Sequence, residues 1–266
     1  MERKYENWEQ LFLEAFSNNL VPRDKREEIP EVVILGMGLQ GDESLLKPLR
    51  KTKRVGQFYV GKYNDVPLAV ICQSMGALPT EVTLRVLTKT PAKTVVGVGF
   101  VGALQSNIDV GSIILPTLAQ RGEGTTNYYA SREVEAVSDL TVQEALEKFI
   151  PKNTCFHKGP IFTTAALVKE DETLISKLNN TGVLGIECET SALFIISKLY
   201  DIRSGAILVV TDNPFLKQLW LDPGAGQKLQ KGFSQAINTA YAAAESLSIK
   251  GSETSNSKIR NTFWRR

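Results

Sequence analysis

The stretch GIECETSALFIISKLYDIRSGAILVVTDNP, Gly185–Pro214, decides what kind of fold this chain adopts. Ala192, Leu193, Ile195, Ile196 and Leu199 recur at helical spacing, so a helix with a buried face follows Glu189. After a turn at Ser204–Gly205 comes AILVV (206–210), an unbroken apolar run. A run without polar alternation is the pattern of a strand covered on both faces, inside a parallel sheet. The run stops at Thr211-Asp212-Asn213-Pro214, which puts Asp212 at the carboxyl end of a central strand. Open α/β sheets bind their ligands there. Glu187 and Glu189 stand at the mouth of the helix. Acids in a first helical turn also complement its positive end, and Asp-Asn-Pro also opens turns. These carboxylates therefore carry function only if other segments converge on the same edge.

Upstream, EVVIL (31–35) reads as the first buried strand, entering GMGLQGDESLLKPL, a Gly-rich turn into a helix. QFYVGKY (57–63) and PLAVICQ (67–73) flank Asn64-Asp65-Val66 as a hairpin. PTEVTLRVLTKT (79–90) is a helix with Pro79 in its first turn. TVV (94–96) and SIILP (112–116) are strands, and residues 121–136 form a long polar loop. TVQEALEKF (141–149) is a helix, TCFHKGPIFTT (154–164) a strand region, and KEDETLISKL (169–178) a further helix. The closing helix, 226–247, aligns Leu229, Phe233, Ile237, Tyr241 and Ala244. Near the amino terminus, 5–20 places Trp8, Phe12, Ala15 and Phe16 on one helical face, expected to pack on the body or on a neighbouring subunit. The expected organisation is an N-terminal helix and linker (1–30), one domain (31–248) and a basic, disordered tail (249–266).

Gly36-x-Gly38-x-x-Gly41 and Gly97-x-Gly99-x-x-Gly102 both satisfy the dinucleotide fingerprint. A Rossmann unit needs a crossover helix and then a parallel strand ending in an acid. The first match is followed by a hairpin. The second leaves only ALQSNIDVG before the next strand, too short for a crossover helix. A nicotinamide-dependent oxidoreductase is the losing reading.

The 266 residues suffice for one large α/β domain, and the 42% hydrophobic share is ordinary. Net charge is +2, with Lys258, Arg260, Arg265 and Arg266 gathered in the tail, so no nucleic-acid or membrane surface is expected. There is no apolar run of membrane-spanning length and no signal-peptide core. Cys72, Cys155 and Cys188 are odd in number and far apart, which supports neither a disulfide framework nor a zinc site. With the single histidine, His157, no metal site is expected, and a cytoplasmic location is the default.

In this order the segments resemble the nucleoside phosphorylase family, which includes purine nucleoside, uridine and methylthioadenosine phosphorylases. Four blocks carry the resemblance over about 31–245: VVILGMGLQ, RVGQFYVGKYNDVPLAVICQSMGALPTE, TVVGVGFVGALQSNIDVGSIILP and GIECETSALF…AILVVTDNP. The resemblance implies a three-layer α/β/α fold around a central mixed, partly barrel-like β-sheet. It also implies a site shared across a homo-oligomer, a dimer or a trimer of dimers. The implied reaction is cleavage of a nucleoside N-glycosidic bond by phosphate, giving free base and ribose 1-phosphate without a cofactor. Glu189 matches the ribose-binding glutamate, Met75 a residue packing on the sugar, and Cys188 replaces the methionine usual between the two glutamates. Asp212 matches the acid that protonates a leaving purine. Val101, Gly102, Leu167 and Ile186 fall where the base is held.

The phosphate-binding pattern departs from the family's. Gly36 matches the turn glycine, and Arg54 the arginine lent by a neighbouring subunit. Gln40 and Gly97 stand where two arginines are usual, and Phe100 where a hydroxyl is usual. Hydrogen bonds to charged groups contribute about 1.5–3 kcal/mol each, so losing two arginines weakens phosphate binding by several powers of ten. Two alternatives to phosphorolysis therefore stand beside it. One is a hydrolytic nucleosidase using water; the other is a non-catalytic nucleoside-binding paralogue or accessory subunit.

Overall fold

The computed structural model describes residues 7–251. The chain opens with α1 (Trp8–Leu20) and a 3-10 segment at Arg23–Glu28. Then come β1 (Val32–Gly36), β2 (Arg50–Val55), β3 (Phe58–Tyr63), β4 (Val66–Cys72), α2 (Ala77–Leu87), β5 (Thr94–Ala103) and β6 (Ile113–Gly122). The second half holds β7 (Ala136–Val137), α3 (Leu140–Phe149), β8 (Phe156–Thr164), α4 (Glu172–Asn180), β9 (Gly185–Glu187), α5 (Thr190–Leu199), β10 (Arg203–Asp212) and α6 (Ala225–Gly251). The basic-tail expectation lies outside the described residues, except that α6 continues to Gly251.

All the strands belong to one sheet. Strands β5, β9, β8, β6 and β10 pair in a ring, because β10 pairs with both β6 and β5, and this closes a small barrel. From β5 the sheet continues through β1, β4, β3 and β2 as an open extension. The mixture is real: β10 runs parallel to β5 but antiparallel to β6. AILVV is thus buried on both faces, although its sheet is not purely parallel.

Side-chain alternation along the strands explains the three layers. In β1, Val33 and Leu35 join the core beneath α2 and α5, whereas Val32 and Ile34 join the core beneath α3 and α6. In β10, Leu208 and Val210 face the first side, Ile207 and Val209 the second. Unbroken apolar runs are what a sheet with helices on both faces requires. A third, smaller cluster of Leu104, Leu178, Val183 and Ile186 seats α4 against the barrel.

Local chemistry sets the boundaries. Asn64 and Asp65 hold φ values of 46° and 67°, the left-handed pair of a tight hairpin turn, and β3 and β4 pair antiparallel around them. The Gly-rich turn after β1 does not lead into an α-helix as expected; it makes one 3-10 turn at Glu43–Leu46, with the Asp42 side chain accepting from Ser44 N–H at 2.7 Å. Pro48 follows two residues later and leaves no room for more turns. The polar loop 121–136 is wrapped around Arg121, whose guanidinium donates to the carbonyls of Ala130, Ser131 and Val134.

Of the two partners expected for the aromatic face of the amino-terminal helix, the body of the same chain is not the one that covers it. Within the chain, Trp8, Phe12 and Phe16 are exposed and meet one another, Trp8 stacked on Phe12 and Phe12 tilted against Phe16, with ring centroids 6.2 and 5.0 Å apart. Leu20 at its end packs on the core, and two ion pairs add to the attachment: Glu14 takes a bidentate pair from Arg26 at 2.9 Å, and Glu9 accepts a single contact from Arg85 Nη2 at 2.7 Å.

Candidate active site

At the carboxyl ends of β5 and β10 lies a cavity of about 360 Å³. Its walls come from the turn after β1, the β4–α2 loop, β5, the β8–α4 connection, β9 with the start of α5, the end of β10, and the segment leading into α6. Nine of the expected site residues meet there: Met75, Phe100, Val101, Gly102, Leu167, Ile186, Cys188, Glu189 and Asp212.

Asp212 is aimed by a backbone irregularity. Val210 pairs with Val101 and Asp212 with Gly102, so Thr211 is the extra residue of a bulge. Such bulges re-aim side chains at strand ends. Thr211 Oγ1 donates to Asp212 Oδ1 at 2.6 Å, while a Cβ on Gly102 would stand 3.0 Å from Asp212 Oδ2. The carboxyl lies over Gly102 because nothing is there to displace it. Asn213 next in sequence is structural: its Nδ2 donates to the carbonyls of Gln105 and Ile108, and its Oδ1 accepts from Phe215 N–H.

The two glutamates of the α5 entrance divide their roles. Glu187 is buried and accepts from Thr163 Oγ1 (2.5 Å), Thr190 Oγ1 (2.7 Å) and the N–H groups of Glu189 and Thr190 (2.8 Å each). It caps the helix and ties β8 to it. Burial pushes its carboxyl up, against the pull of those donors. Glu189 accepts from Gly76 N–H at 2.5 Å and lies close to Gly38. Burial first, then the neighbouring Glu187, pushes the Glu189 carboxyl up to about 8. Its carboxyl faces the cavity beside Met75 and Cys188, and burial holds the Cys188 thiol up at about 12, far from a reactive thiolate.

Four expected residues do not line the cavity. Gly36 is inside β1, where a Cβ would meet Leu45 Cδ2 at 2.9 Å; the turn residues at the cavity are Met37 and Gly38. A Cβ at Gly97 would stand 2.8 Å from Leu193 Cδ2 and 3.1 Å from Met37, so a side chain there requires both of those side chains to shift. Gln40 is exposed. Arg54 is exposed on the edge strand β2, with its Nε donating to Gly56 O at 3.0 Å and its guanidinium over the Tyr59 ring. Phe100 does line the cavity, and its ring packs on Phe233 of α6, centroids 5.0 Å apart.

Sequence reasoning missed Met37, Gly38, Glu170, Thr211, Trp220 and Leu229. Glu170 matters most. Burial and the nearby Asp212 raise its carboxyl to about 7, and its Oε1 is buried without a hydrogen-bond partner. The available signal was the doubled acid before α4: Asp171 caps the helix by accepting from Leu174 N–H, which leaves Glu170 without that duty.

Glu170, Glu187, Glu189 and Asp212 line the cavity, and no Lys, Arg or His among the described residues does. The arrangement offers acceptors for sugar hydroxyls at Glu189, an apolar slot between Val101, Leu167 and Ile186, and a carboxyl pair that can hold a proton beside it.

Comparison with known proteins agrees with this architecture. The sequence profile described as "Phosphorylase superfamily" matches residues 31–245. A guanosine phosphorylase of Halorubrum lacusprofundi is 28% identical over 173 residues, covering 65% of this chain and 70% of the relative. A uridine phosphorylase of Thermococcus kodakarensis is 28% identical over 169 residues, covering 58% of this chain and 61% of the relative. The crystal structure of uridine phosphorylase from Vibrio fischeri superposes with a TM-score of 0.75 at 21% identity, covering 82% of this chain and 93% of that one.

Proposed function

Because the chain belongs to the Phosphorylase superfamily, a family of pentosyltransferases, we propose that it cleaves the N-glycosidic bond of a purine nucleoside, with phosphate as the attacking group. The observation that carries the purine reading is Asp212, held over Gly102 at the end of the cavity. A purine leaves poorly as an anion, and a positioned acid contributes roughly 10²–10⁴-fold. Glu189 accepts from the 2′ and 3′ hydroxyls and, in its ionised form, offsets the positive charge that grows on the ribose. Met75 and Cys188 pack on the sugar, while Leu167, Ile186 and Val101 hold the base. The activities for which the relatives are named support phosphate as the nucleophile. No cofactor takes part. The active form is a homo-oligomer in the cytoplasm, and Arg54 reaches the cavity of a partner copy.

The lining favours a second reading, in which water attacks instead. A phosphate carries most of two negative charges, and here it meets four carboxyl groups and no Lys, Arg or His among the described residues. The deciding experiment is base release from a panel of purine and pyrimidine nucleosides, with and without phosphate. Release that rises with phosphate and yields ribose 1-phosphate supports phosphorolysis. Equal release in its absence establishes hydrolysis. No release from folded protein sinks both readings and leaves a nucleoside binder.

A further inference from the structure

Strand β2, at the edge of the sheet, pairs with β3 out of step. Arg50 lies opposite Lys62 and Lys53 opposite Val60, so Lys51 and Thr52 together oppose Gly61 in a bulge. Lys51 holds φ at 50°, in the left-handed region. Asn64, Asp65 and Asp201 also stand there, but Asn and Asp tolerate it and glycine adopts it without steric cost; a lysine is strained. Gly61 accounts for the bulge, since a Cβ there would stand 2.6 Å from Arg50 O, but not for a lysine at 51. Strained backbone of this kind gathers at functional sites.

The bulge also decides which side chains share a face. Lys53 and Val55 lie with Val60 and Phe58 on the side of α2 and α5, where Lys53 pairs with Glu28. Arg54 takes the other side with Tyr59, its guanidinium over that ring. Arg50 and Lys53 share a side because Lys62 and Val60 do, so the two residues between them turn to the side of Arg54. Lys51 and Arg54 are thus two exposed cations on one face. Residues 50–63 hold five basic side chains and no acid, and among the described residues only Lys53 of the five has an acidic partner. Basic side chains and bulges also keep a sheet edge from pairing, but Lys53, Arg54 and the bulge already do so without a strained lysine.

We propose that Lys51 is a phosphate ligand: with Arg54 it forms a two-pronged clamp on one face of β2, which holds the attacking phosphate at the cavity of a partner copy. The inference rests on the reading of this cavity as a phosphorolytic one to which Arg54 comes from a partner. A cavity lined by Glu170, Glu187, Glu189 and Asp212, and by no Lys, Arg or His among the described residues, repels a phosphate dianion. The same carboxyls attract a basic strand, so the charges of β2 and of the cavity are complementary across two copies. Lys51 restores one of the two charges absent at Gln40 and Gly97, and its ammonium donates charge-assisted hydrogen bonds to the phosphate oxygens.

The test uses the full chain, with the nucleoside best cleaved in the release panel held at saturation and inorganic phosphate varied. Lys51→Gly removes the cation and relieves the backbone, so it is expected to melt no lower than the wild type. Its KM for phosphate is expected to rise about tenfold or more, with the KM for the nucleoside unchanged. Lys51→Arg is expected to restore most of the phosphate affinity. A purely protective role at the sheet edge moves none of these constants. Action across copies is read by co-producing Lys51→Gly with Asp212→Asn and assaying at phosphate well below the KM of the former. In mixed assemblies the intact cavity of one variant meets the intact β2 of the other. Activity is therefore expected to reach roughly a quarter of the wild type, well above either variant alone. An unchanged phosphate KM in Lys51→Gly, or no recovery on mixing, overturns the inference. If wild-type release still rises with phosphate, the inference alone falls. If wild-type release is absent or independent of phosphate, the phosphorolytic reading falls and takes the inference with it.

Discussion

Asp212 and Glu189 are the two side chains whose removal speaks most directly to mechanism. Asp212→Asn keeps the side-chain volume and the hydrogen bond from Thr211, so the fold is expected to survive. It loses the transferable proton, and kcat for neutral purine nucleosides is expected to fall roughly 10²–10⁴-fold. Turnover at the wild-type rate would remove Asp212 from the chemistry. Glu189 makes a prediction about stability. Its carboxyl titrates near 4.5 ordinarily and about 8 in the fold, so the folded state binds that proton more tightly. The contribution is fully present below about 4.5 and is lost as pH rises through about 8. The unliganded protein should therefore melt lower at pH 8.5 than at pH 5, and Glu189→Gln should flatten that decline. Glu170, raised to about 7, acts in the same direction. A decline of the same size in Glu189→Gln would assign the effect to Glu170 and the remaining groups.

Strand β5 shows how an element constrains what a site can hold. Gly102 pairs with Asp212 on one side and Ile186 on the other, at the point where the barrel meets the cavity. Gly102→Ala puts a methyl 3.0 Å from Asp212 Oδ2 and is expected to cost catalysis while leaving the melting temperature within a few degrees. Full activity in that variant would show that Asp212 does not need its present position. At the other end of the strand, Gly97→Ala meets the Leu193 side chain at 2.8 Å in a packed core, and a destabilisation of about 1–3 kcal/mol is expected from denaturant titration. An arginine at 97 would have to displace the Leu193 and Met37 side chains. The strands themselves were legible because apolar runs such as EVVIL and AILVV have a single physical use. The 3-10 turn at Glu43–Leu46 was not, since a Gly-rich turn followed by a short apolar pair fits one helical turn as well as several.

At the level of the molecule, two surfaces point outward with work undone. The α1 face of Trp8, Leu11, Phe12 and Phe16 is exposed, and Arg54 stands on the outer strand of the sheet, outside its own chain's cavity. Both suit a homo-oligomer in which copies complete each other's sites. Sedimentation of the wild type is expected to give a dimer or larger, and Trp8→Glu with Phe12→Glu is expected to shift it towards the monomer. An unshifted assembly would place the interface elsewhere. By itself, the sequence determined the alternation of strands and helices, the two-sided burial of the sheet, and the placing of Glu189 and Asp212 at strand and helix ends. Each of these is a local property of spacing and polarity. Only the tertiary structure decided which glycines touch the cavity, that a side chain at position 97 would press on Leu193 and Met37, and that Glu170 joins Asp212. It also decided that four carboxyl groups converge with no cation among the described residues. Those facts depend on residues far apart in the chain meeting at one sheet edge, and no periodicity along the chain encodes that distance.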